Sequence, residues 1–139
     1  MRYLLGILIV AILAGCTSGS AGTQPLSLQD TSKMGEKEYI ITLYSDPEKP
    51  SGGKAFTLKI ELQDAQTKEP VKHLTYELEI RDSSGKNVFW DSRHAMEGAP
   101  YVEKVTLKSG EYTMKVAVDH GMGDKIMRLY EKEFKFRVG

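Results

Sequence analysis

From Ala55 to Asp64 the chain alternates: Phe56, Leu58, Ile60 and Leu62 are apolar, while Thr57, Lys59, Glu61 and Gln63 between them are polar. A two-residue period puts each set on its own face, which predicts an antiparallel strand with one face in a core and the other in water. Residues 74–80 repeat the pattern, with Leu74, Tyr76, Leu78 and Ile80 inward and Thr75, Glu77 and Glu79 outward. The run Asp82-Ser83-Ser84-Gly85-Lys86 supplies a turn into a strand over 87–90, so the two strands form a hairpin. A first strand is expected over 39–45, ended by Asp46-Pro47 and the Pro50-Ser51-Gly52-Gly53 cluster. Further strands are expected over 101–107, 111–119 and 125–138, and no segment sustains a 3.6-residue period.

Two details refine this pattern. Met127 and Leu129 are out of phase with Phe134, Phe136 and Val138, and a bulge near Glu131 would restore the register. Trp90 is expected in the core, since a large aromatic in a strand is chiefly a packing residue. Seven short strands separated by turn signals predict an all-β, immunoglobulin-like antiparallel sandwich. Within it, Leu107-Lys108-Ser109-Gly110-Glu111-Tyr112 has the form of a tyrosine corner, whose hydroxyl bonds back to upstream backbone.

Composition narrows the function. The 139 residues carry 19 Lys and Arg against 19 Asp and Glu, a balance that excludes an obvious nucleic-acid or polybasic membrane protein. One Cys can form neither an internal disulfide nor, alone, a zinc-thiolate site. It is Cys16, directly after residues 3–13, an apolar run too short to cross a hydrocarbon core of about 30 Å as a helix. The run reads as a signal-peptide core. Its end, Leu13-Ala14-Gly15-Cys16, resembles the lipobox of bacterial lipoproteins, in which the cysteine is diacylated, with palmitate-like chains, and becomes the mature N-terminus. The expected organisation is a signal peptide over 1–15, lipidated Cys16 with a flexible tether to residue 37, and a sandwich domain over 38–139 in the cell envelope. The tether is polar and small, and about twenty such residues span roughly 25 Å.

Ser45-Asp46-Pro47, Gly52-Gly53, Glu69-Pro70-Val71 and Ser109-Gly110-Glu111-Tyr112 resemble the landmarks of YtkA-like domains. The resemblance covers most of 46–118. It implies a small extracytoplasmic immunoglobulin-like module without catalytic activity, with copper handling among the family's neighbours. After Val118 the chain departs from that pattern.

Catalytic motifs are lacking: there is no Gly-x-Ser-x-Gly elbow, no phosphate-cradling glycine loop and no His-Glu-x-x-His. Two His-x-Met units stand out instead, His94-Ala95-Met96 and His120-Gly121-Met122, in a chain with only three His. With the strands lettered A to G, these units fall in the expected D–E and F–G loops. The B–C loop ends at His73, so an immunoglobulin topology would bring all three His to one pole. Imidazole with thioether suits copper, above all Cu(I). Met127 is a further candidate ligand, whereas Met114 lies mid-strand and reads as core.

His120 and Met122 also resemble the His-x-Met element of periplasmic copper chaperones that carry copper towards cytochrome oxidase. The first His and the intervening Met are spaced differently from that family. The bland alternative keeps the His in solvent and the Met as fillers of the open core end. The function expected is a membrane-anchored binding module that takes copper at the histidine pole, or a metal-free module that holds another envelope protein. A carbohydrate-binding sandwich would need exposed aromatics on a face, and here they fall mostly inward. The tether is expected to emerge beside the histidine pole.

Substitution Cys16→Ser is expected to change the protein's processed size or its attachment to the membrane. A variant that stays membrane-bound at its normal processed size would overturn the lipobox reading.

Overall fold

The computed structural model describes residues 25–122 and 125–139. The signal peptide, Cys16 and the first part of the expected tether lie outside them. The described chain is all-β, in the order β1 (Ser27–Met34), β2 (Lys37–Asp46), β3 (Ala55–Asp64), β4 (Leu74–Asp82), β5 (Asn87–Ala95), β6 (Tyr101–Thr106), β7 (Gly110–Met122) and β8 (Lys125–Val138). One antiparallel sheet runs β1-β2-β3-β6 and the other β5-β4-β7-β8, forming the immunoglobulin-like β-sandwich that the alternation predicts.

The inward sets of β3 and β4 lie where the period puts them. Leu58, Ile60, Leu78 and Ile80 are fully buried, joined by Ile41 and Leu43 of β2 and by Met114, Val116 and Val118 of β7. The β4–β5 hairpin and the tyrosine corner are also as expected. Tyr112 donates its hydroxyl to the Lys108 carbonyl at 2.7 Å, and its ring stacks on Phe136 at 5.6 Å. The bulge in β8 falls at Leu129, where the register with β7 shifts between Val118 and Asp119. It allows Leu129 and Tyr130 to be buried in succession.

Three expectations are corrected. Part of the expected tether is strand β1, whose whole length pairs with β2, from Ser27 opposite Tyr44 to Met34 opposite Lys37. Its inward set, Leu28, Asp30, Ser32 and Met34, is half polar, so alternation of hydrophobicity does not mark it. The hairpin is nevertheless written in the sequence by Gly35, which turns the chain at φ +63°.

Trp90 is the second correction. It is 58% exposed on the outer face, and Phe89 packs against the core instead. With two aromatics in succession, alternation cannot choose the phase. The register with β4 does so by setting Phe89 opposite Ile80 and Trp90 opposite Glu79, with Val88 unpaired beside them.

The third correction concerns direction. Because β1 adds a strand, the chain enters the sandwich at the pole opposite the histidines. Leu26 donates its N–H to the Glu48 carbonyl at 2.7 Å and accepts from Ser45, both near the β2–β3 loop. That terminal pole gathers the β2–β3, β4–β5 and β6–β7 connections with Gly139. The histidine pole gathers the β1–β2, β3–β4 and β5–β6 connections with the end of β7 and the start of β8. Ten residues of β3 at roughly 3.3 Å each separate the two poles by about 30 Å.

Each open side of the sandwich is closed by a Tyr–Asp–cation group. Where β5 meets β6, the Tyr101 hydroxyl donates to Asp91 at 2.9 Å, and Arg93 lies 5.1 Å from the ring centroid while donating to the Val102 carbonyl and pairing with Glu103. Where β1 meets β8, the Tyr130 hydroxyl and Lys132 both donate to Asp30 at 3.1 Å, and Ser32 donates to the Leu129 carbonyl. Burial, and after it the adjacent aspartate, raises the pKa of Tyr101 and of Tyr130. Burial pushes Tyr76 up to about 12.

Two measurements check this architecture. A tyrosine whose folded pKa is raised contributes full stability below its unfolded pKa, and that contribution is lost as pH rises through the folded value. Urea midpoints are therefore expected to fall steeply once pH exceeds the ordinary tyrosine value of 10.0. Tyr130→Phe should cost about 1 kcal/mol at neutral pH and make the alkaline loss shallower. An equally steep loss in Tyr130→Phe and Tyr101→Phe would overturn the seam assignment. Trp90, the one tryptophan in the chain, should emit as a solvated indole, be freely quenched by acrylamide and shift little on unfolding. Blue-shifted, protected emission would place Trp90 inward and refute the β4–β5 register.

Candidate functional site

The histidine pole is built from the ends of four strands in one sheet. β4 starts at Leu74, which lies opposite Ala95 of β5 on one side and His120 of β7 on the other; His120 in turn lies opposite Met127 of β8. One residue earlier, His73 donates its N–H to the Met96 carbonyl at 3.0 Å and accepts from the Gly121 N–H at 3.2 Å. Three short backbone links thus bring His73, Met96, His120 and Met127 into adjacent rows at one pole. The topology predicts this gathering from sequence.

The side chains diverge nonetheless. Neither His94 nor His120 is in a loop, as the sequence suggests. β5 continues through Ala95 because β4 offers it a full ladder, and β7 runs on to Met122 in its hairpin with β8. Opposed residues in an antiparallel pair share a face. His94 opposes Thr75, bonds to its hydroxyl through Nδ1 at 2.8 Å and lies on the outer face. His120 opposes buried Leu74 and so continues the inner face at the core's end.

His73 sits outside this alternation in the left-handed region at φ +57°, and its Nδ1 is buried without a hydrogen-bond partner. A non-glycine residue in that conformation costs on the order of 1 kcal/mol and is most often found where surrounding structure holds it. Among the described residues, no three His, Cys, Asp or Glu side chains form a metal-holding group. The side chain of Met122 lies outside the described residues. Met114 is buried in the core, as its mid-strand position suggests.

Around His73 and His120 the pole is soft and apolar. Met96, Ile126 and Met127 are 55%, 72% and 47% exposed. The outer face of the same sheet has a different character. Arg81 pairs with Glu133 and with Glu79 at 3.8 Å, Lys115 with Glu131 at 3.2 Å, and Arg128 with Asp119 and Glu131 at 2.7 Å each. The Arg128 and Lys115 contacts hold Glu131 below the usual carboxylate range.

Beyond this ladder, toward the terminal pole, a depression of about 410 Å³ is lined by Arg81, Ser83, Glu111, Glu133 and Lys135. Its arginine is already committed to carboxylates. Sequence reasoning places the polar residues of β4 outward but misses the ion-pair ladder they join and the exposure of Trp90 at its edge. A charged residue on alternate positions of β4, β7 and β8 is the signal for the face.

The chain matches no family model, and no curated protein is significantly similar to it. Among solved structures, it is similar to the C-terminal domain of Wzt at 14% identity, with a TM-score of 0.46, over 85% of this chain and 81% of that one.

Proposed function

We propose that the chain is a membrane-anchored extracytoplasmic lipoprotein whose sandwich is a non-catalytic module that binds another envelope protein at the histidine pole. The observation that carries this reading is the exposure of Met96, Ile126 and Met127, all at the pole farthest from where the chain enters the domain. A chain tethered through Cys16 would present that pole away from its own membrane, where a partner has access. Solvent-facing methionines and an isoleucine supply adaptable apolar contact area. The carboxylates whose pKa is lowered, Asp30, Asp64, Asp82 and Glu131, are engaged in seams, turns and ion pairs, which suits a structural role. The YtkA-like resemblance implies a module of the same kind.

The buried, unpartnered Nδ1 of His73 favours a second reading, in which the pole holds Cu(I). An imidazole nitrogen free of hydrogen bonds is a ready ligand, and His120, Met96 and Met127 are its soft neighbours. His94, committed to Thr75 on the other face, does not belong to that set.

Pull-down from detergent extracts with the mature chain should retain a partner with or without a copper chelator, and lose it in Met96→Ser/Ile126→Ser/Met127→Ser. Retention by the triple variant would refute the pole as the contact surface. Cu(I) titration against a competing chelator decides the second reading. Binding tighter than about micromolar, lost in His73→Ala/His120→Ala and kept in His94→Ala, supports it; weaker binding, or binding kept by the double variant, sinks it.

A further inference from the structure

The formal neutrality of the chain hides a separation of charge along the sandwich. The three connections at the terminal pole, 47–54, 83–86 and 107–109, carry Lys49, Lys54, Lys86 and Lys108 against Glu48 alone. The strand-end residues beside them cancel, with Asp46, Asp82 and Glu111 balanced by Lys104, Lys135 and Arg137. At the histidine pole, connections 35–36, 65–73 and 96–100 carry Glu36, Glu69 and Glu97 against Lys68 and Lys72, and the strand ends beside them add Lys33, Lys37 and Lys125 against Glu38 and Asp64, so these charges balance; Lys72 lies 3.9 Å from Glu97. All four lysines of the terminal pole are exposed. None of them takes part in an ion pair among the described residues.

These lysines are held on a knitted surface. Gly53 donates to the Leu107 carbonyl at 2.8 Å, Gly139 donates to Pro50 at 3.0 Å, and the Ser109 hydroxyl donates to Gly139 at 3.0 Å. Gly52 packs so closely on Ser109 that an added Cβ would lie 2.6 Å from its backbone nitrogen. The chain leaves this surface next to Lys49, through the bond from Leu26 to Glu48.

We infer that the terminal pole is a cationic face that rests on anionic lipid headgroups, so that the sandwich stands on its membrane with the histidine pole outward. The inference rests on the reading of Cys16 as a lipid anchor. Ten residues separate Cys16 from Leu26, a span of at most about 35 Å, so the pole stays near the lipid surface. Each lysine at an anionic surface strengthens association by roughly fivefold, screened beyond a Debye length of about 10 Å. Four lysines would be a weak membrane signal on a free domain. Beside an anchor, the high effective concentration makes the docked orientation the populated one.

The mature lipoprotein, reconstituted in vesicles with a lipid-borne acceptor dye, provides the test. A donor is attached to Ser51→Cys at the terminal pole or Gln66→Cys at the histidine pole. Energy transfer from Ser51→Cys should be greater in vesicles containing phosphatidylglycerol than in phosphatidylcholine alone. It should return to the phosphatidylcholine value at high salt and in Lys49→Gln/Lys54→Gln/Lys86→Gln/Lys108→Gln, while transfer from Gln66→Cys stays low throughout. Transfer that is equal in both vesicle types, or that survives the four substitutions, overturns the inference and leaves these lysines to an acidic protein.

The acyl mass on Cys16, measured separately, decides the anchor reading.

Discussion

Two four-stranded sheets can share one dry core only if the edges where they part are closed against water. In this sandwich β1 faces β8 and β6 faces β5, and both seams use the same chemistry. A tyrosine ring supplies the apolar wall, and its hydroxyl reaches an aspartate on the opposing edge. A lysine or arginine then neutralises the carboxylate: Tyr130, Asp30 and Lys132 at one seam, Tyr101, Asp91 and Arg93 at the other. Inward-pointing charge on edge strands also discourages pairing with another chain. The two groups thus do what aliphatic residues could not, ending the core laterally while leaving the edges unattractive as templates.

Those seams explain which parts of the fold are legible in the sequence. β3, β4 and β7 have sheet neighbours on both sides, and their inward residues are apolar through the core, up to His120 at the end of β7, so alternation reads them directly. β1 and β5 are edges. Their inward residues include Asp30, Ser32, Asp91 and Arg93, which a hydrophobic period counts as outward. β1 is consequently hidden inside an apparent tether, and β5 is expected to stop at Trp90. The phase of Trp90 fails for a related reason, since the choice between adjacent aromatics is made by pairing with β4 and not by either residue's propensity.

Legibility of the candidate site divides along the same lines. Topology is enough to bring the backbone of His73, His94 and His120 to one pole, because strand order fixes which connections meet. Side-chain direction depends on the register of single residues. His94 pairs with Thr75 and His120 with Leu74, one position apart along β4, and one position in a strand is a change of face. A His-x-Met spacing read as two equivalent units therefore becomes two unequal ones. The first is split between an outer-face histidine and an exposed methionine, and the second sets His120 on the inner face at the end of the core.

β1 has the largest consequence for function because it reverses the chain's point of entry. A sandwich beginning at β2 would receive its tether at the histidine pole and hold that pole against the lipid. One added strand, built on Gly35 and on backbone pairing rather than on apolar side chains, moves the attachment by the length of the domain. The lysines of the β2–β3, β4–β5 and β6–β7 connections then lie on the side from which the chain emerges, and the glutamates, methionines and histidines on the other. A net charge of zero over the whole sequence conceals this distribution. For an anchored module the distribution matters more than the sum, since attraction at one pole and its absence at the other both favour the same upright orientation.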